Sequence, residues 1–534
     1  MSKLHYFQPS WITLSDEVLN VDLCIYGGTS AGIIAAVTAK KQGLSVILLQ
    51  PGHTLGGMTS GGLGWTDYGK KQVIGGASRQ FYLDAGARYG LEEEEWQFEP
   101  KVASDIFNAY IREHDIPARL WQYLDQVDVK NNRIHSIRLL GGLTVNADYF
   151  MDATYEGDLL AKAGVSHHIG REANSVYGET INGVQVCDKH QFVAPVDPYV
   201  VEGDPLSGTL PGIRQKDGAV QGSGDSLIQA YNFRMCMTDD PELRIPWEKP
   251  DGYDPSEYEL ARRWFRHPQS GYNSLLDHDK DGDEVPPTKF DVLRPRTPGG
   301  YHKTDTNNHG PISSDFIGRN WQWPSADYAS RERLFQEHVT YQKGLYWFMA
   351  NDPAVPENIR RAHHRFGLAK DEFVDTDHWP HQLYVREGRR MVSDYVLNEH
   401  DTQYHRFPDD PVGMGSYQMD SHNCQRFVRN GCVLNEGDVQ LQPAGPYAVS
   451  YRSLVPRKDE CENLAVPVCI SSSHIAFGSV RMEPVFMVLA ESAALAVSLA
   501  HPGRQALQDI PYAKLLPLLR KARQVLTRED AGAD

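Results

Sequence analysis

Residues 22–32 read DLCIYGGTSAG, and this stretch constrains the whole N-terminal part of the chain. Val21–Tyr26 is a run of buried-strand residues. Ile33–Gln42 is helix-forming and stops at Gly43, and Ser45–Gln50 is a second apolar strand. A strand, a glycine turn, a helix and a further strand predict a βαβ unit with parallel strands. The turn carries Gly27, Thr29 and Gly32 at the three positions of the G-x-G-x-x-G fingerprint. Gly27 allows the tight turn, and Gly32 lets the helix close on the strand. Thr29 puts a Cβ where a bare backbone normally approaches a pyrophosphate, although its hydroxyl could itself donate to a phosphate oxygen. Gln50 stands where an acid usually meets a ribose; it is neutral, but it can accept from a hydroxyl. The motif alone leaves open a βαβ turn that holds no nucleotide.

The rest of the chain narrows the choice. At 534 residues it exceeds a single hydrophobic core, so two or three domains are expected. A net charge of −17 without a Lys/Arg cluster argues against a nucleic-acid partner. The longest apolar stretch, Val485–Ala500, is interrupted by Glu491 and falls short of the ~20 residues of a membrane span. The N-terminus lacks the apolar segment of a signal peptide, so a cytoplasmic location is expected. Seven scattered cysteines without a C-x-x-C argue against a disulfide framework and a zinc site, and no metal is expected.

Residues 118–153 alternate in β fashion, broken at Asn131-Asn132 and Gly141-Gly142. They predict an antiparallel meander followed by a buried strand at Tyr149–Ala153. Helices are expected at Ser330–Ala350, Tyr384–Leu397 and Pro484–Leu499, a strand at Leu464–Ile470, and an amphipathic segment at Tyr512–Leu526. Glu92–Glu95 reads as a solvated helix face or loop. Asp277–Glu284 imitates the start of a calcium loop. Thr288 replaces its closing glutamate, and Pro286-Pro287 breaks the exiting helix, so an acidic turn is expected. Trp321, Trp323, Trp347 and Trp379 suit either an ordinary core or stacking on sugar rings.

A second glycine-rich segment, GHTLGGMTSGGLGWTD, follows the second strand. So many glycines suggest a backbone pressed against an extended ligand, as a long flavin nucleotide would require. Together with MDATYEGDLLAKAG, YVREGRRMV, DSHN and SSSHIAFGSVRMEPVFMVLAESAALAV, these blocks resemble the bacterial FAD-dependent oxidoreductases of the glutathione-reductase-like superfamily. Relatives on that side include fumarate reductase flavoprotein and L-aspartate oxidase. The resemblance runs from about residue 21 to 500. Threonine at the middle glycine position is usual there, whereas Gln50 departs from the usual glutamate.

The resemblance implies FAD as cofactor. Gly27, Gly28, Ser30, Ala31 and Gly32 would cradle its pyrophosphate, with Gln50 at the ribose and Gly56, Gly57 and Met58 on the flavin side. Val127 would offer backbone contacts to adenine. Ala153, Thr154, Gly157 and Asp158 would close the second FAD-contacting strand. Ser479, Arg481 and Met482 would precede a helix aimed at the flavin pyrimidine. It also implies an α/β fold, in which a Rossmann-like FAD domain of residues 1–180 and 435–534 receives an inserted α+β substrate domain of 181–434.

Flavin does the redox chemistry, while the protein supplies geometry and charge. Arg481 and the helix opened by Pro484 would favour an anionic reduced flavin. Oxidation of an alcohol or amine sends a hydride to flavin N5 and needs a base. His474 is the first candidate and His422 the second. Glu483, which could simply cap its helix, and Arg386, which could pair within a helix with Glu387, Arg389 and Arg390, are weaker ones. The expected function is FAD-dependent oxidation of a small polar substrate, a carbohydrate or polyol, with an electron acceptor that the sequence does not identify. Two alternatives stand beside it: reduction or desaturation at a C=C bond, and a non-catalytic flavin-binding redox sensor.

Overall fold

The computed structural model describes residues 4–215, 220–267 and 300–532, with the short strands Asp277–His278, Glu284–Val285 and Phe290–Val292. The expected βαβ unit is present: β1 (Val18–Tyr26), α1 (Ser30–Lys41) and β2 (Val46–Leu49). The last four residues of β1 and all of β2 are buried on both faces, as apolar runs in a parallel sheet must be. Lys40 and Lys41 lie in the last turn of α1, where positive charge suits the helix dipole, and Gly43 follows at φ +87°.

After the short helix α2 (Gly57–Ser60) come α3 (Gly76–Arg88) and α4 (Pro100–Glu113). The strands β3 (Ala118–Arg119), β4 (Leu124–Lys130), β5 (Arg133–Leu139) and β6 (Thr144–Asp152) complete the sheet, ahead of α5 (Asp158–Lys162). The order is β3-β2-β1-β6-β5-β4, with Leu464–Ala465 pairing to β6 as a seventh strand. Asn131 and Asn132, both at positive φ, make the two-residue β4–β5 turn. The meander and the buried strand expected at Tyr149–Ala153 are not separate: β6 is one strand that pairs antiparallel to β5 and parallel to β1.

The C-terminal part returns to this core. The apolar helix Glu483–Ala500 packs across α1. Glu483–Gly503 is long and apolar enough to cross a membrane, but 83% of its most apolar window is buried within the protein. The strand expected at Leu464–Ile470 shrinks to Leu464–Ala465, and the terminal amphipathic helix spans Tyr512–Lys521. The domain boundary expected at 434/435 falls within strand Cys432–Glu436, which is paired to Gln425–Arg429.

In the middle, Tyr328–Asn351 is a helix as expected. Tyr384–Leu397 is not. Its Arg390–Met391 pairs as a strand with His167–His168. Of the local network expected among Arg386, Glu387, Arg389 and Arg390, the Glu387–Arg390 pair is present, but it is buried and not on a helix, and Arg386, Glu387 and Arg390 also pair with Asp315, His474 and Glu172 from distant parts of the chain. Those tertiary ion pairs override the local helical pattern. Trp323 and Trp379 are fully buried core residues. In the acidic run, Glu92–Glu94 lie on a loop, and Glu95 turns inward to accept from the Trp96 and Gln97 amides. All seven cysteines are free. Positions 279–283 and 286–288 of the calcium-loop lookalike lie outside the described residues.

Candidate active site

The strand order reverses at β1, whose sequence neighbour β2 lies on one side and β6 on the other. Such a switch point opens a crevice at the carboxyl ends of the strands, the usual nucleotide position in doubly wound sheets. Here Gly27, Thr29, Gln50, Thr154 and Glu156 line a partly open pocket, with His5, Tyr6 and His381–Leu383 on its other side.

Gly27 sits at φ +111°, and a Cβ on it would lie 2.6 Å from the Ala153 carbonyl carbon. A Cβ on Gly32 would lie 1.9 Å from Gly27 O, so α1 packs on β1 as closely as glycine permits. Thr29 does not aim its hydroxyl at a ligand, as the sequence suggested. Its Oγ1 donates to Ala153 O at 2.8 Å and accepts from Gly32 N at 3.3 Å, which makes it the N-cap of α1 and a clasp onto β6. Gln50 Oε1 accepts from Gly28 N at 2.7 Å and so braces the turn.

The second glycine segment also has a reason that the sequence hid. The space a side chain would need is taken by the chain itself: by Phe107 and Ser60 at Gly56, the Tyr155 hydroxyl at Gly57, Gln382 at Gly61 and Arg234 O at Gly62. Close approach of protein to protein is by itself a reason for these four glycines. The next helix, Glu483–Ala500, is tied to this loop. Ser30 Oγ, Thr59 Oγ1 and Tyr155 OH all donate to the buried Glu483 carboxyl, at 2.6, 2.7 and 2.7 Å. Tyr155 OH in turn accepts from Met58 N. Glu483 therefore knots α1, α2 and the end of β6 instead of capping its own helix. Burial raises its pKa, against the pull of the three donors.

The other expected contacts divide. Thr154 lines the cavity, and Ala153 anchors Thr29. Gly157, at φ +68°, caps α5. Asp158 is engaged by Arg331 and Arg389. Ser479 donates to Tyr417 O, and Met482 is the buried N-cap of Glu483–Ala500. Val127 sits in the β4–β5 ladder opposite Ile137, and the cavity lining does not include it.

The polar residues of the C-terminal blocks form two linked clusters. In the first, Arg481 donates to Tyr384 OH at 2.9 Å and contacts Asp420 Oδ2 at 3.2 Å. His422 stands between two carboxylates, with Nδ1 at 2.8 Å from Asp315 and Nε2 at 3.3 Å from Asp420. Burial pushes the Asp420 carboxyl up, but His422, Arg481 and Arg386 outweigh it and hold it below the usual carboxylate range. In the second, His474 Nδ1 lies 2.8 Å from Glu387 Oε2, and its Nε2 lies 3.0 Å from Ser421 Oγ. His474, Glu387 and Ser421 are all buried. Both expected histidines are thus near one another along Ser421–His422, yet His422 shares the cluster of Arg481 while His474 is locked in a side network. Tyr384 and Asp420 were not singled out from sequence. Their signal was membership of the quoted blocks: Tyr384 opens YVREGRR and Asp420 opens DSHN.

The glycine cradle at the switch point fits the expected cofactor. Gly27, Gly32 and the α1 N-terminus would hold the pyrophosphate, and Arg481 would face the redox ring. Comparison with solved structures finds flavoenzymes. A flavin-containing monooxygenase from Stenotrophomonas maltophilia is 13% identical over 31% of this chain and 45% of its own, with TM-score 0.19. L-proline dehydrogenase from P. horikoshii is 15% identical over 29% and 59%, with TM-score 0.24. L-amino acid deaminase from Proteus vulgaris is 11% identical over 30% and 55%, with TM-score 0.23. In each case the chain spans less than two thirds of the other protein. No curated protein matches. Residues 22–519 match the family described as FAD dependent oxidoreductase, and with nearly the whole chain inside that match, this protein belongs to that family and takes FAD as its cofactor.

Proposed function

We propose that this FAD-dependent enzyme oxidises a small polar substrate bound among Tyr384, Arg481, Asp420 and His422. The observation that carries this reading is the buried cluster itself. A histidine and a phenol, each hydrogen-bonded or ion-paired to a charged group, lie at the start of the helix expected to face the redox ring. FAD, when bound, supplies a two-electron acceptor. The chain's own groups position the substrate and handle its proton. His422 is the group proposed to move that proton at Nε2, with Asp315 fixing the ring through Nδ1. Arg481 places positive charge where negative charge collects on reduction. His474 is assigned a positioning role, because hydrogen bonds of 2.8 and 3.0 Å to Glu387 and Ser421 hold both of its nitrogens, whereas His422 Nε2 makes only the longer, 3.3 Å contact to Asp420.

Support for a bipartite organisation comes from Leu464–Ala465 in the main sheet and Glu483–Ala500 on α1. Residues 1–180 and the C-terminal part would bind cofactor, and the part between them would carry the substrate side. The test is anaerobic mixing of the FAD-loaded protein with small alcohols, polyols, hydroxy acids and amines. Bleaching of the flavin by members of this panel is expected. Reoxidation of the reduced protein by an unsaturated compound, with no bleaching by the panel, would favour a reductase instead. No response to either would favour a redox sensor.

A further inference from the structure

Three guanidinium groups surround the ring of Tyr384: Arg386 at 4.5 Å from its centroid, Arg481 at 5.7 Å and Arg234 at 5.8 Å. All three are buried. Each already faces a carboxylate, Asp315, Asp420 and Asp305 respectively, so the cluster is close to neutral by count. Its unmet demand is for hydrogen-bond acceptors. Arg386 Nε, Arg481 Nε and Arg234 Nη1 are buried and have no partner. Among the three paired carboxylates, Asp315 Oδ1 has no hydrogen bond, but it lies 2.9 Å from Arg386 Nη1 and is electrostatically satisfied there.

A buried N–H without an acceptor is costly, about 1–3 kcal/mol each, so three around one ring favour a ligand that only accepts. A polyol brings hydroxyl hydrogens along with its oxygens and would set some of them against N–H groups. A carboxylate only accepts, and guanidinium matches it well. We propose that the substrate carries a carboxylate, held by the spare N–H groups of Arg234, Arg386 and Arg481 beside Tyr384. This rests on the reading above that the substrate binds in this cluster.

The experiment uses the full-length, FAD-loaded protein at constant ionic strength set with chloride. Propionate and succinate are titrated against propionamide and propane-1,2-diol, and binding is read from the flavin absorption spectrum and from protection against thermal unfolding. The carboxylates are expected to bind at least about tenfold more tightly than the amide and the diol. Arg386→Lys and Arg481→Lys keep the charge but lose the Nε donor. They should weaken carboxylate binding about 10- to 100-fold, the weight of a hydrogen bond to a charged group, with FAD content unchanged in Arg386→Lys. Should either variant fail to fold, the wild-type comparison still decides. Equal binding of carboxylate and diol overturns the carboxylate but leaves the substrate placed in this cluster. No binding by any probe overturns both. Loss of FAD from the variants with carboxylate affinity unchanged assigns the N–H groups to the cofactor and overturns the proposal.

Discussion

Glu491 offers the sharpest test of the buried electrostatics. It lies in the middle of the apolar helix Glu483–Ala500 and is only 8% exposed. Its Oε2 accepts from Ala77 N and from Gln524 Nε2, both at 2.7 Å, while Gln524 Oε1 has no partner. Burial outweighs the Ala77 amide and pushes the carboxyl from its ordinary 4.5 up to about 7. A folded-state pKa above the unfolded one means that the native protein binds the extra proton. Stability contributed by neutral Glu491 is therefore present below about pH 4.5 and lost as pH rises towards 7. The gap between the two values corresponds to about 3 kcal/mol of penalty above pH 8, and to less than about 1 kcal/mol at pH 5. Glu491→Gln keeps an oxygen for both donors, removes the charge, and adds an N–H beside Gln524. With an unfolding entropy of roughly 2 cal/mol/K per residue, a chain of 534 residues melting as one unit should gain about 3 °C at pH 8.5. The gain should be no more than about 1 °C at pH 5. The assay is thermal unfolding of the holoprotein, followed by flavin fluorescence at both pH values. An equal shift at both would show that ionisation is not the cause. Destabilisation at pH 8.5 would show that the carboxylate is ionised and well solvated by its two donors.

Three further outcomes are expected. Gly32→Val should abolish FAD binding, because even the first carbon of a side chain meets Gly27 O at 1.9 Å; flavin content of the purified variant measures this, and wild-type content would contradict the proposed cradle. Gln50→Ala removes one neutral hydrogen bond to Gly28 N and should cost only about 0.5–1.5 kcal/mol, seen as a several-fold rise in the FAD dissociation constant. His422→Ala should slow substrate-driven flavin reduction about 10²–10⁴-fold, whereas His474→Ala, which removes a buried partner from Ser421 and from Glu387, the latter keeping Arg390 and Gln229, should lower the melting temperature. Stopped-flow reduction and thermal unfolding of both variants separate these roles, and a large loss of rate with unchanged stability in His474→Ala would reverse them.

Local pattern carried a long way in this chain. The β1–α1–β2 unit, the meander with its Asn131-Asn132 turn and the apolar helix after Pro484 were all legible, because each is set by short-range periodicity and by residues with special backbone freedom. The glycines at 27 and 32 could be read because the turn they occupy is itself local. Contacts between distant segments could not be read. Tyr384–Leu397 looked helical from its spacing, yet it is pulled into irregular structure by ion pairs to Asp315, Glu172 and His474. The Thr29 hydroxyl, free in any local reading, is consumed by Ala153, a residue 124 positions away. Gly57 and Gly62 announced a close approach without saying to what; only the fold shows Tyr155 and Arg234 filling the space. Of the two candidate histidines, sequence ranked His474 first because it precedes the helix. Tertiary packing separates them, since a buried imidazole is defined by the partners on its two nitrogens, and those partners come from elements that meet only when the chain is folded.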